Sequence, residues 1–215
     1  PDGYLPRVGD NDSGRFHRIS VDPASRDTSI LPLGAVFFRD PYLKMMDAPC
    51  ETLAWTMGSA GIDIWNQLPA GPPPGTAGYP DAGWFVMRHG GDYCIVSCGP
   101  NGQNGHGGHA HNDQLSFELH LHRKPFIIDP GTYTYTAHPV LRNLFRSTCW
   151  HNTLQVDGME QNPFNPRELF RLPDHAKVIS MHGDPLLDMI SWMSNMMGTK
   201  NPAESGIAGR FSSQK

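Results

Sequence analysis

The run Gly71-Pro72-Pro73-Pro74-Gly75 divides the chain into two regions that must fold by different rules. Three consecutive prolines fix φ and remove three backbone donors, so neither a helix nor a central strand can pass through them. Before the run, the apolar stretch at 30–38 meets Asp40-Pro41, which suits a helix end or restart. Residues 51–58 read as a short amphipathic helix closed by a cap at Gly58. Helices this short cannot bury their apolar faces alone and must lean on something outside themselves.

After the prolines the periodicity changes. Residues 83–88 and 92–98 are strand-like runs joined by the turn His89-Gly90-Gly91. Residues 115–122 alternate apolar and polar like a half-buried strand, and further strand-like runs follow at 124–131 and 150–158. Short strands separated by Gly, Pro and Asp turns predict an antiparallel β-sandwich. The expected class is α+β. Residues 1–75 would form a helical segment and linker, 76–175 the sandwich, and 176–215 an irregular or non-native tail, since the pattern dissolves from His175 onward.

Composition narrows the function. A net charge of −4 over 215 residues gives no basic field for nucleic acid or an anionic membrane, so an acidic ligand must be met by local positive groups. No apolar run approaches the about 20 residues a membrane span needs. The 20 prolines and 23 glycines favour a loop-rich β body. The four cysteines contain no CxxC pair and are expected to be free thiols. Residues 8–15 form a polar, turn-rich loop that lacks the closing glutamate of a calcium loop and is expected to be solvated or to line a cleft.

Chemistry concentrates in Gly105-His106-Gly107-Gly108-His109-Ala110-His111-Asn112-Asp113-Gln114. Glycines allow close backbone approach, and the strand behind them fixes where the imidazoles point. Regular alternation would place His109 and His111 on one face, a way to offer two nitrogens to zinc, with Asp129 and His151 available from other segments. Spacing alone leaves open whether these are ligands or satisfied structural histidines. A second constellation joins Tyr133 and Tyr135 to Arg142, Asn143 and Arg146. Tyrosine beside cations serves proton transfer and arginine binds carboxylates, although strand-edge aromatics with solvated arginines fit the pattern equally well.

Three motifs in order strongly resemble the heparinase II/III-like polysaccharide lyases. They are the 105–119 run ending Leu-Ser-Phe-Glu-Leu, then Ile-Ile-Asp129-Pro-Gly-Thr-Tyr-Thr-Tyr, then Phe145-Arg-Ser-Thr-Cys-Trp-His-Asn-Thr-Leu-Gln-Val-Asp-Gly. The likeness covers roughly residues 80–172, and 80–84 and 9–15 also look like that family. It implies a bacterial, periplasmic or secreted enzyme with an N-terminal α/α toroid and a C-terminal β-sandwich, cleaving a uronic-acid polysaccharide by β-elimination. It further implies that His109 is the active-site histidine that neutralises the substrate carboxylate or assists proton transfer, with Tyr133 as a cleft tyrosine; Arg146, from the tyrosine–arginine constellation, is the third catalytic candidate. His111, Asp129 and His151 would be ligands of a structural Zn²⁺, which splits the His-X-His pair between two roles. Specificity is expected from cleft loops such as 136–146 and from the toroid.

The family's toroid supplies an Asn and a Tyr base from helices well ahead of the β domain, and only about 75 residues precede the prolines. The chain is therefore expected to be an inactive fragment: the last toroid helices with much of the sandwich. Two rivals remain in view. One is a zinc-dependent hydrolase using His109, His111 and Asp129 on a catalytic metal with His151 as base; the other is a non-catalytic carbohydrate-binding sandwich whose Trp84, Trp150 and tyrosines stack on sugars.

Overall fold

The computed structural model describes residues 5–11, 30–45, 48–72 and 74–176, so from Lys177 onward the expected tail lies outside the described residues. Helix α1 spans Ile30–Phe38, and Asp40 then caps a 3-10 turn at Pro41–Leu43, its carboxylate accepting the Tyr42 N–H at 2.9 Å. Helix α2 spans Glu51–Gln67 as two helical runs that meet at a kink at Gly58. That glycine, at φ 61° and ψ −159°, is non-helical and ends the first run where the cap was expected. The helix resumes because its later turns carry a buried face of their own, with Gly61 and Trp65 inward. Lys44 Nζ donates to the carbonyls of Trp65 at 2.7 Å and Leu68 at 2.5 Å and closes the C-terminal end.

The two helices share a small core of Ala35, Val36, Leu53 and Trp65, edged by Leu33, Leu43, Met57 and Ile62. Burial of a side chain such as Leu53 stabilises by about 1.5–3 kcal/mol. Ile30, Phe37, Phe38 and Trp55 remain largely exposed on the outside of this pair.

Beyond the prolines, β1 (Ala77–Tyr79), β2 (Trp84–His89), β3 (Asp92–Ser97), β4 (Phe117–Leu121) and β5 (Lys124–Ile127) form one antiparallel sheet in chain order. The expected turn at 89–91 joins β2 to β3, pairing His89 with Asp92 and Trp84 with Ser97. β3 is the central strand, and Tyr93 through Ser97 are all buried, so both of its faces are closed from solvent. This accounts for the continuous apolar run Cys94-Ile95-Val96 where one-sided burial would demand alternation. The α+β class holds, and among the described residues the β region contains this single sheet.

One strand expectation is corrected. Residues 150–158 form no strand: a 3-10 turn at Thr148–Trp150 leads into irregular chain. Only Asn152 behaves like a strand residue, its carbonyl accepting the Phe117 N–H at 3.3 Å and its Nδ2 donating to the Phe117 carbonyl at 3.2 Å. Asp157 (φ 50°) and Gly158 (φ 69°) then turn the chain away. The 136–146 segment, expected as a loop, holds helix α3 (Pro139–Phe145) with proline at its start.

Candidate functional site

The glycine–histidine stretch bridges β3 and β4 and is held on both sides. Gly107 adopts φ 58°, and a Cβ there would meet the Leu172 carbonyl at 2.5 Å, so only glycine fits. From the other side, the segment 7–11 lies along it. The Asp10 N–H donates to the His109 carbonyl (2.9 Å), Gly9 N–H to Asp113 Oδ2 (2.7 Å), Arg7 N–H to Glu118 Oε1 (3.1 Å) and Asn11 N–H to Thr132 Oγ1 (2.6 Å). Gly9 is at φ 62° with the His109 carbonyl 2.5 Å from where a Cβ would sit.

This strap delivers Asp10 to the centre of the site, its carboxylate fully buried. Asp10 Oδ2 lies 3.1 Å from His109 Nδ1, and Oδ1 lies 2.8 Å from His111 Nε2. Arg142 closes the group from α3, donating from Nη1 to Oδ1 at 2.6 Å and from Nη2 to Oδ2 at 2.9 Å. Burial pushes the Asp10 carboxyl up, but His111, Arg142 and His109 together outweigh it and leave the pKa below the ordinary carboxylate value. Asp10 is thus an anion with four donors or potential donors around it.

The two histidines differ in access. The His109 side chain is 54% exposed, whereas that of His111 is fully buried. Burial lowers the His111 pKa against the pull of Asp10, which favours the neutral ring. His111 faces His151, their ring centroids 5.2 Å apart. His151 Nδ1 lies 2.7 Å from Asp129 Oδ2, and Asp129 Oδ1 accepts the Gly131 N–H at 2.8 Å. Two buried nitrogens, His111 Nδ1 and His151 Nε2, have no hydrogen-bond partner. Orphaned imidazole nitrogens on two rings whose other nitrogens touch carboxylates are the donor set a zinc ion uses. As the side chains stand, no three His, Cys, Asp or Glu among the described residues converge on one point.

The structure therefore links His109 to His111 through Asp10, and His111 to the His151–Asp129 pair through facing rings; Asp10 comes from the loop expected to be solvated or to line a cleft. The one available signal was the Gly9-Asp10-Asn11-Asp12 motif. Tyr133 is 69% exposed beside Thr132 and stacks on Phe145 at 4.7 Å, which in turn stacks on Trp150 at 4.8 Å. Its φ of 57° is unusual for a bulky residue and marks local strain, as recurs in ligand sites.

Arg146 sits differently from what its expected role requires. It is fully buried and donates to the carbonyls of Arg171 (2.9 Å) and Glu168 (3.0 Å) and to Asn143 Oδ1 (2.9 Å), over the Phe164 ring at 4.1 Å. Burial and the nearby Arg142 pull its pKa down to about 10, so it stays charged at neutral pH. Arg142 is likewise turned inward, onto Asp10. Phe170 lies between these groups, 6.2 Å from the His109 ring and 5.8 Å from Tyr135. Asn112 is fixed from beneath by Glu160 (2.7 Å) and the Asn162 carbonyl (3.0 Å).

A family model described as "Heparinase II/III-like, C-terminal" matches residues 71–191. Among solved structures, a heparinase III is 20% identical and aligns over 86% of this chain and 25% of its own, with a TM-score of 0.53; it shares the fold. A heparan sulfate lyase HepC from Pedobacter heparinus is 21% identical over 74% of this chain and 22% of its own, with a TM-score of 0.46. A heparinase III gene product with methylated lysines is 20% identical over 72% and 21%, at a TM-score of 0.47. The chain spans about a fifth to a quarter of the length of these structures. No curated protein sequence matches it.

Proposed function

The chain belongs to the heparinase II/III-like family by its match to that family's C-terminal domain, and from that premise we propose that it is part of a bacterial polysaccharide lyase. The substrate class is a uronic-acid-containing polysaccharide, and the reaction is β-elimination. The chain contributes the β-domain half of the active site and is inactive by itself, in a protein that works in the periplasm or outside the cell. The observation that carries this reading is the half-exposed His109 ring, anchored at one edge by a buried carboxylate and with the Phe170 ring 6.2 Å away.

The chemistry explains why such a group is needed. The proton at C5 of a uronate is weakly acidic, and charge builds on the sugar carboxylate as it leaves. A cationic or hydrogen-bonding group must meet that charge, a base must take the proton, and an acid must protonate the departing O4. On this reading His109 meets the carboxylate or assists the transfer, which its half-exposed ring supports, and exposed Tyr133 is the second proton-transfer candidate. Arg146 serves by holding the 165–171 carbonyls and α3, which sets Arg142 against Asp10. His111, His151 and Asp129 would hold a structural Zn²⁺, for which the two orphaned imidazole nitrogens are the support. When bound, it supplies a charged cross-link between three chain segments.

The stacked rings Tyr133, Phe145 and Trp150 favour a second reading, a non-catalytic sugar-binding surface. The test is to incubate heparan sulfate, alginate and a neutral glucan with this chain and with a parent protein carrying a helical toroid. Ultraviolet absorbance of the unsaturated product reports elimination. The parent should act on a uronate polymer and the chain alone on none. Turnover by the chain alone would sink the fragment reading, and a parent that binds uronate polymers without forming product would favour the sugar-binding one.

A further inference from the structure

We propose that Asp10 is the positioning residue of this site, a single carboxylate that touches both His109 and His111 and sets the tautomer of His109. The geometry is specific. One oxygen of Asp10 meets the δ nitrogen of His109 at 3.1 Å, and the other meets the ε nitrogen of His111 at 2.8 Å. A carboxylate accepts and does not donate, so His109 turns its N–H toward it, whereas His111 Nε2 also lies 2.9 Å from the Arg142 Nη1 donor and is shared between the two. His109 is then Nδ1–H, with its Nε2 lone pair on the open side, where the ring is 54% exposed. His111 keeps its Nδ1 in a buried position without a partner, while its Nε2 lies between Asp10 and Arg142.

The surroundings hold Asp10 to this task. Its side chain is fully buried, Arg142 grips both oxygens at 2.6 and 2.9 Å, and the adjacent Gly9 can follow the His109 carbonyl so closely only because it lacks a Cβ. The backbone N–H of Asp10 itself donates to the His109 carbonyl, so main chain and side chain fix the same histidine. Asp10 thereby couples the histidine on the cleft side to the one on the metal side. A displacement of either ring is transmitted through two hydrogen bonds. Outer partners of this kind are worth about 10–100-fold in metal affinity or activity elsewhere.

The inference builds on the reading of His109 as the substrate-facing histidine but is tested without turnover. Long-range proton–nitrogen spectra of the ¹⁵N-labelled chain, recorded at alkaline pH, report which ring nitrogen bears the proton. The wild-type chain should show Nδ1–H for His109. In Asp10→Ala, His109 should revert to the Nε2–H form that imidazole prefers in water, with the amide signals of β2–β4 unmoved. Nε2–H at His109 in the wild type overturns the proposal, as does an unchanged His109 in a folded Asp10→Ala chain. The wild-type spectrum decides even if the variant does not fold. The predicted tautomer together with no elimination by any protein carrying this site would sink the lyase reading and leave the role of Asp10 standing.

Discussion

Glu118 shows how much a single residue carries beneath the site. Its Oε1 accepts both the Arg7 N–H and the Asp129 N–H, at 3.1 and 3.2 Å, tying the strap to the start of the 129–131 turn. Burial raises its pKa above the ordinary 4.5, outweighing those two donors. The folded chain therefore holds this proton more tightly than the unfolded one. Its stabilising contribution is complete below pH 4.5 and is lost as pH rises through the raised value. Glu118→Gln keeps the accepting oxygen without the charge, so its melting-temperature advantage over the parent should widen from acid toward neutral pH. A constant difference would contradict this. At Gly9, an added methyl meets the His109 carbonyl at 2.5 Å in a left-handed backbone. Gly9→Ala should lower stability by about 1–3 kcal/mol in denaturant melts and loosen the Asp10 contacts. Such roles are hard to see in sequence, where Gly9-Asp10 resembles any polar turn. The positive φ and the close approach exist only once a segment a hundred residues away arrives.

Among elements, the sheet was the legible part. Alternation at 115–122 and the turn at 89–91 mark β2 to β4, because period and turn chemistry are local. The misreadings lie where tertiary contacts override local pattern. Residues 150–158 alternate like a strand, yet His151 is drawn inward to Asp129 and Thr153 Oγ1 donates to the Gln114 carbonyl at 2.6 Å, leaving only Asn152 for pairing. At Gly58 the non-helical backbone ends the first run of α2 as the sequence suggests, and what was not legible is the second run, which carries Trp65 into the core. Arg146 is the pin of the irregular 164–172 segment. Arg146→Met removes the charged donors from the carbonyls of Arg171 and Glu168, leaving the latter only the Arg171 N–H at 3.3 Å. It should destabilise by about 2–4 kcal/mol and open this segment to limited proteolysis ahead of the sheet. An unchanged cleavage pattern would place the anchoring elsewhere.

For the whole molecule, of the six expected site residues His109 and His111 meet at Asp10, His151 paired with Asp129 faces His111, Tyr133 stands exposed, and Arg146 lies inside. Motif order carried that information; the inward turn of both arginines did not follow from it, since a sequence does not show which carbonyls need donors. If His111, Asp129 and His151 hold zinc, the purified chain should contain one zinc ion, and chelation should lower its melting temperature. A hydrolase would instead lose activity while staying folded. The most direct test of the account is His109→Ala in a parent protein with a complete site, with turnover and substrate affinity measured together on a uronate polysaccharide. The account predicts that kcat falls by about 100-fold or more while binding is largely kept, the signature of a group acting in the transition state. Turnover within a few-fold of the parent would contradict it.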